Sequence, residues 1–378
     1  MYLFSQKAYS HDLYMHWKHS RVLISLLPSL SLPLCPSCLS STHAPPPLIP
    51  LGPPVSSLSL SAQLGLCFQN LYEHEKAIAL FEEDKVIMEE TGNRGGVGWV
   101  MGNIALSLAE MGQNNKATRM FQKSMAISEK VGDKEAVCNA SCNLAECLAC
   151  AGEYADAVRH FKKAFQLAKD IDNETKADIS AMGVGVMLRL QVLAEPAADP
   201  AAMPEYEVPL DFDNLADPLH LATSAKLEAS LQGRILDPRL LEAIHHLATA
   251  LAGGQGLARL HLAHAFFDAG LEDSATGFLQ QYLARRVKHA RTWCGGCGQT
   301  RSEDSPMLTC GGCGVVRFCS AEHQKMASKR EHFGRSFNEK HKDMCGLLGK
   351  WRSKVVKDGL PEESLNEDMI AYLRNHNL

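Results

Sequence analysis

The sequence lacks the short motifs from which many catalytic centres are built. It contains no glycine-rich phosphate-binding loop, no nucleophile elbow and no histidine–glutamate pair suited to an open zinc ion. These absences argue against the enzyme classes that depend on such motifs. We therefore expect a protein that is not an enzyme and has no catalytic residue.

Acidic residues are missing between Asp12 and Glu73. Within this stretch, residues 22–60 are dominated by Ser, Leu and Pro, a composition that cannot build a core because proline interrupts both helices and strands. We predict that residues 1–60 are disordered, or partly non-coding sequence carried into the gene prediction.

The apolar run near the N-terminus is also too short to span a membrane. The run that follows Arg21 is interrupted by Pro28 and Pro33, which leaves it far short of the roughly 20 apolar residues that cross a bilayer. It also starts too late for a signal peptide. We expect no membrane partner and a cytoplasmic or nuclear location.

The remaining composition is ordinary for a globular protein. The chain has 378 residues, of which 46% are hydrophobic and 21% charged, and this length can hold two or three domains. The net charge of −5 is unevenly distributed, because residues 285–357 carry 16 Lys and Arg against 6 Asp and Glu. This basic segment is compatible with a solvated surface, an acidic protein partner or nucleic acid.

Cysteines are concentrated near the C-terminus. Two Cys-x2-Cys pairs, Cys294 with Cys297 and Cys310 with Cys313, each enclose two glycines that allow the backbone to curl around a metal. The four cysteines predict two zinc knuckles, each of which supplies half of a tetrahedral site.

Two further pairs complete the set. Cys319 with His323, and His341 with Cys345, are four residues apart, which places both members of a pair on one face of a helix. Four pairs predict two zinc ions per chain, each held by four protein ligands. A disulfide framework is the weaker alternative, because nothing in the sequence indicates an oxidising compartment.

The order of these pairs, with the segment from Phe318 to Gln324 between them, resembles the MYND-type zinc finger. In that family the ligand pairs alternate in a cross-brace. The resemblance implies that zinc 1 is held by Cys294, Cys297, Cys319 and His323, and zinc 2 by Cys310, Cys313, His341 and Cys345.

Two positions depart from the family pattern. His323 stands where a cysteine is usual, an exchange that zinc accepts. The gap between His323 and His341 is longer than usual, which makes His332 a competing ligand. We favour His341, because it alone keeps the three-residue spacing to Cys345.

Residues 61–190 repeat with a fixed period. The spacing is 40 residues both for Ala77, Ala117 and Ala157 and for Phe81, Phe121 and Phe161. A fixed period with helical patterning predicts stacked two-helix units, and the pattern resembles the 40-residue tetratricopeptide repeats of scaffold proteins. The predicted fold is mainly α, a tetratricopeptide-like helical solenoid followed by a small double-zinc cross-brace finger.

The first helices of such repeats line a concave groove. Asn103 and Asn143 occupy equivalent positions, where asparagines of similar repeats hydrogen-bond an extended peptide backbone. The resemblance implies a peptide-binding role, whereas capping of a neighbouring turn is the alternative. Four cysteines of the third unit are interpreted as buried core thiols rather than metal ligands: Cys138, Cys142, Cys147 and Cys150.

The C-terminal half divides into four further parts. An acidic, proline-bearing linker is predicted first, followed by a helical region with one degenerate repeat, the finger and two short helices that pack back on the helical region. Their predicted bounds are 191–218, 219–291, 292–346 and 347–378.

Fingers of the MYND family bind short proline-containing peptides beside the second zinc, where one strand pairs with the ligand. The resemblance implies a surface shaped by residues 310–319, with Val316 and Gln324 as candidate peptide-binding residues. The alternative is that Val316 and Phe318 only pack the finger's own core.

Together these features predict a zinc-binding adaptor whose repeats and finger each bind a protein or peptide partner. Two alternatives stay open: a nucleic-acid-associated regulator that uses the basic finger, and a non-catalytic subunit of an enzyme complex.

Overall fold

A computed structural model describes most of the repeat region and parts of the finger. The described residues are 59–197, 236–289, 294, 307–321, 324–325, 341–357 and 365–376. The expectation of disorder for residues 1–60 therefore falls almost entirely outside the described residues.

The described chain is helical apart from one short hairpin. The helices are α1 Leu60–Asn70, α2 His74–Glu90, α3 Arg94–Glu110, α4 Asn114–Val131, α5 Lys134–Cys150, α6 Tyr154–Asp170, α7 Glu174–Ala194, α8 Pro238–Ala252, α9 Ala258–Asp268, α10 Glu272–His289, α11 His341–Lys357 and α12 Asn366–Asn375. The strands β1 Leu308–Thr309 and β2 Arg317–Phe318 pair antiparallel. The predicted mainly α solenoid is confirmed.

The residues that recur every 40 positions pack between the two helices of each hairpin. The three alanines and three phenylalanines that recur along the chain are fully buried. The hairpin α1–α2 shows why the partner position is small: a Cβ on Gly65 would lie 2.8 Å from the Phe81 ring. The first helices α3, α5 and α7 begin alike, because the side chains of Asn93, Asp133 and Asn173 each accept a backbone N–H of the first turn.

The fourth hairpin contains a long insertion, and here the predicted linker needs correction. Helix α7 continues to Ala194 rather than ending at residue 190, and α8 packs along it as the second helix of the same unit. A Cβ on Gly185 would lie 2.6 Å from Leu247 Cγ, so Leu247 fills the place that Phe81 fills in the first hairpin. The acidic segment therefore joins two helices of one hairpin instead of linking two domains.

The two ends of this insertion meet. The Arg239 guanidinium donates to the Glu195 carbonyl oxygen at 2.8 Å and to the Asp237 carboxylate at 2.6 Å. Asp237 also caps α8, because its carboxylate accepts the backbone N–H of Arg239 at 2.9 Å. The chain consequently leaves and re-enters the solenoid at one place.

Helices α9 and α10 form a fifth hairpin, which supports the finger. Trp351 of α11 and Leu373 of α12 are buried in the same hydrophobic cluster as Leu279 of α10. Gln280 of α10 also donates a hydrogen bond to Asn366 of α12 at 3.3 Å. The predicted docking of the finger and the C-terminal helices on this helical layer is thus present.

Ion pairs tie successive hairpins together. Arg189 of α7 is fully buried and donates to Asp268 of α9 at 2.5 Å. On the outer surface, Glu242 of α8 contacts His246 at 3.7 Å and Lys162 of α6 at 2.5 Å. These two partners, first His246, lower the pKa of Glu242 to about 2.

Three of the four cysteines of α5 lie among core side chains. The Cys138 thiol donates to the Ala164 carbonyl oxygen at 3.3 Å, and Cys142 lies 3.4 Å from the Ser180 hydroxyl. Cys147 is buried as well, whereas Cys150 is exposed, so its interpretation as a buried core thiol is wrong. Among the described residues these thiols form no metal-binding cluster.

Among the described residues, one helix, α7, is long and apolar enough to cross a membrane by length and composition. In the protein 61% of its most apolar window is buried, and α6 and α8 pack against it. This burial is typical of a core helix of a repeat array.

Candidate metal centre

The second knuckle is held by a network of backbone hydrogen bonds. The Cys310 N–H donates to the Val316 carbonyl oxygen at 2.8 Å, and the Gly314 N–H returns to the Cys310 carbonyl oxygen at 2.9 Å. Gly314 has φ of +63°, a conformation that glycine adopts without strain. The turn directs the N–H groups of Val315 and Val316 at the Cys313 sulfur, at 3.4 and 3.5 Å. Amides that point at sulfur stabilise a thiolate, which is the form that binds zinc.

Helix α11 supplies the other half of the site. It begins at His341 and places Cys345 one turn further along the same face. The ligand atoms of Cys310, Cys313, His341 and Cys345 all lie within 4.8 Å of one another. The structure thus brings together the four residues assigned to zinc 2.

The spacing of these atoms fits a tetrahedral zinc ion. Zinc–sulfur bonds of about 2.3 Å place the ligands of a tetrahedral site roughly 3.8 Å apart. The Cys310 and Cys345 sulfurs are 3.7 Å apart, and His341 Nε2 lies 3.8 Å from the Cys313 sulfur and 3.1 Å from the Cys310 sulfur. Three sulfurs and one imidazole nitrogen form a set that zinc prefers.

The electrostatics of the cluster also favour a cation. Burial, then the charge of Arg286, lowers the pKa of His341 to about 4, so the imidazole is neutral and its Nε2 can bind a metal. Burial and the neighbouring thiols raise the pKa of Cys345 to about 12. Adjacent thiolates therefore do not coexist here unless a positive charge lies between them.

The first site is described only in part. Cys294 is buried, and its sulfur accepts the backbone N–H of Cys319 at 3.4 Å, the same arrangement as in the second knuckle. The structure therefore brings one residue from each predicted half together. Cys297, His323 and the competing His332 lie outside the described residues.

Two contributors have little or no signal in the sequence. A Cβ on Gly312 would lie 2.8 Å from the Cys345 sulfur, so this glycine permits the close approach of α11; its position inside a knuckle is the signal. Arg352 donates to the Gly314 carbonyl oxygen at 2.7 Å and ties the turn to α11. No motif marks that arginine.

The predicted peptide surface of the finger needs correction. Val316 is 4% exposed and Phe318 is fully buried, and the Phe318 ring packs edge-on against His341 at 5.7 Å. Both side chains fill the finger's core, so they cannot line a groove. Gln324 is half-buried on the helical turn after β2, where its N–H donates to the Ser320 carbonyl oxygen.

The two groove asparagines are both half-buried on first helices, Asn103 on α3 and Asn143 on α5. The Asn103 amide donates to the Trp99 carbonyl oxygen of its own helix at 3.0 Å. Peptide binding by Asn103 and Asn143 thus stays a prediction.

Two protein-family models match the chain. Residues 96–170 match the model described as tetratricopeptide repeat, and residues 294–345 match the MYND finger. The finger match begins at the first predicted ligand, Cys294, and ends at the last, Cys345. No curated protein matches the chain. The chain therefore carries tetratricopeptide repeats and a zinc-binding MYND finger, two module types that commonly mediate protein interactions.

Proposed function

We propose that the protein is an adaptor, in which the zinc-stabilised finger binds a short peptide of one partner and the repeats bind another. The support comes from the geometry of the finger. The residues present at the second site would hold zinc with four protein ligands, which leaves no position for an activated water. The metal would accordingly stabilise the finger's fold and the strand that it carries.

The observation that carries the proposal is the outer edge of β1. Because Cys310 and Val316 form a hydrogen-bonded pair, the next pair along the ladder, Thr309 with Arg317, is a non-hydrogen-bonded pair. The N–H and C=O of Thr309 therefore point away from β2. Among the described residues no strand pairs with this side of β1, whereas β2 is bridged on its far side by Cys294.

The surroundings of this edge suit an extended ligand. Leu308 is 48% exposed although it is apolar, and it offers a contact for an apolar side chain. Arg317, the partner of Thr309 in the ladder, is half-buried, and Lys325, which follows β2 in the chain, is exposed, so acidic residues beside the bound segment would be favoured. We therefore propose a proline-containing peptide with acidic flanks that adds a strand to β1, with Gln324 as a polar contact.

A matched pair of variants tests the edge. Thr309→Pro removes the outward N–H but leaves the ladder to β2 intact, whereas Thr309→Ala keeps the N–H. With a fluorescent proline-rich, acidic peptide we expect micromolar affinity, about −8 kcal/mol. Thr309→Pro should bind about fivefold more weakly than Thr309→Ala, since one hydrogen bond contributes roughly 1 kcal/mol. Equal affinities of two folded, zinc-loaded variants would refute binding at this edge.

The basic segment at 285–357 favours a second candidate, binding of nucleic acid, and the same protein distinguishes the two. Phosphate contacts weaken steeply as the salt concentration rises, whereas a peptide held by backbone hydrogen bonds and apolar contacts is far less sensitive. Binding of duplex DNA with a steep salt slope, without any binding of the peptide, would replace the adaptor proposal.

A further inference from the structure

An open cavity of about 800 Å³ lies against the second metal site. Glycines from the knuckle and from α11 form half of its lining, and the other residues include Lys350, Arg352 and Ser353. The glycines are Gly311, Gly312, Gly314, Gly346 and Gly349. The two metal-ligating residues that border the cavity are Cys313 and Cys345. It gives solvent a path to the site.

The cysteines of the site differ in how far solvent reaches them. Cys310 is 9% exposed and Cys313 is 4% exposed, and the Cys313 sulfur is covered by the amides of Val315 and Val316. Cys345 is more exposed than either and lies one turn into α11, beside Gly346. A small reagent in the cavity would therefore meet the sulfur of Cys345 first.

We propose that Cys345 is an oxidation site, at which hydrogen peroxide or an organic hydroperoxide reacts and opens the zinc site. Cys310 is the resolving residue, because its sulfur lies 3.7 Å from that of Cys345. The proposal depends on zinc binding by this cluster and not on the peptide that the finger binds.

The chemistry balances with peroxide as the only added reagent. The Cys345 thiolate attacks one peroxide oxygen, the O–O bond breaks, and hydroxide leaves and becomes water when it takes a proton. The Cys310 thiolate then attacks the sulfur of the resulting sulfenic acid, a sulfur–sulfur bond forms as the S–O bond breaks, and the second oxygen leaves as hydroxide, which takes a second proton from solvent to become water. The two thiolates lose two electrons to the peroxide, and zinc is released because two of its four ligands are gone.

The cavity allows a steric test in the full-length protein. A Cβ at Gly346 meets nothing within 4 Å, so Gly346→Leu adds an apolar side chain at the cavity wall and narrows the approach to Cys345. Gly277 in α10 is also a helical glycine with an open Cβ direction and does not line the cavity, which makes Gly277→Leu the matched control. Zinc release after addition of hydrogen peroxide is followed with a metal-sensitive dye. We expect Gly346→Leu to slow release several-fold relative to the unchanged protein and Gly277→Leu to match the unchanged protein.

A second variant and a second readout keep the test decisive if the leucine disturbs α11. Cys345→His preserves a zinc-compatible set of two cysteines and two histidines and should resist peroxide. Mass spectrometry after a limiting pulse of peroxide should find the first oxidised sulfur at Cys345 and then a disulfide to Cys310. Oxidation that starts at Cys310, Cys313 or the first site, or equal release from Cys345→His and the unchanged protein, would overturn the proposal.

Discussion

The packing of α8 against α7 can be tested by the substitution Gly185→Ala, which adds one methyl group between the two helices. In the structure, a Cβ on Gly185 would lie 2.6 Å from Leu247 Cγ and 2.8 Å from the Ala243 carbonyl oxygen. The carbonyl belongs to the backbone of α8 and cannot rotate away. Gly185→Ala should therefore force the two helices apart.

The expected loss of unfolding free energy in Gly185→Ala follows from a comparison with a second helical glycine. A Cβ on Gly102 would meet only the Ser124 hydroxyl at 3.4 Å, an ordinary contact. Both substitutions gain about 0.5–1 kcal/mol from the better helix propensity of alanine. Only Gly185→Ala adds the overpacking cost of about 1–3 kcal/mol. The difference between the two variants should equal this steric term.

Hydrogen exchange is the suitable assay, because a repeat protein of this size need not unfold in one step. In Gly185→Ala, exchange should accelerate in peptides from both 174–194 and 238–252, and the urea midpoint should fall below that of Gly102→Ala. If exchange accelerates in 174–194 alone, or if both variants are equally stable, α8 does not pack on α7 as described.

Three further predictions concern charges and ligands. Replacing His341 by alanine should remove one zinc ion per chain by elemental analysis, whereas replacing His332 should leave the zinc content unchanged; the reverse would reassign the ligand. Asp268→Asn removes the carboxylate that pairs with the buried guanidinium of Arg189 and should destabilise the protein by about 3–5 kcal/mol in urea unfolding. A smaller loss when Arg189→Met is added would confirm the cause. The pKa of Glu242 in the folded protein is about 2, below the ordinary value of about 4.3 that applies to the unfolded chain. The ionised carboxylate therefore stabilises the folded protein fully above a pH of about 4.3, and this stabilisation is lost as the pH falls through about 2. Acid titration of Glu242→Gln should therefore converge with that of the unchanged protein at low pH, and a constant difference would contradict the assignment.

The repeats could be predicted from sequence because the same alanines and phenylalanines mark the 40-residue period and fill the core between the helices. Ala77 and Phe81, and their counterparts 40 residues on, are core residues of successive hairpins, and the capping residues between them mark the helix starts. The second knuckle was equally accessible, since Cys310 and Cys313 carry their spacing and their glycines in the sequence.

The fourth hairpin could not be predicted in this way, because the insertion breaks the period. The second helix starts only at Pro238, and its contact residue is Leu247 instead of phenylalanine. One signal was present: Ala243 and Leu247 have the same four-residue spacing as Ala157 and Phe161. The direction of the Val316 side chain could not be predicted from the sequence either, because a strand of two residues shows no alternation from which to assign its two faces.

The finger and the repeats share one core, and this bears on how an adaptor of this kind would respond to its metal. The helix that supplies His341 and Cys345 buries Met344 and Leu348 among the same side chains as α10, and α12 is joined to it by an ion pair between Lys350 and Asp368. Loss of zinc would release the first turn of α11 and so loosen these contacts. Helices α1 to α6, which do not touch the finger's helices through any of the contacts above, would keep their own hairpin packing. Under the adaptor function proposed above, metal loss would therefore affect the peptide bound by the finger and not the partner bound by the repeats.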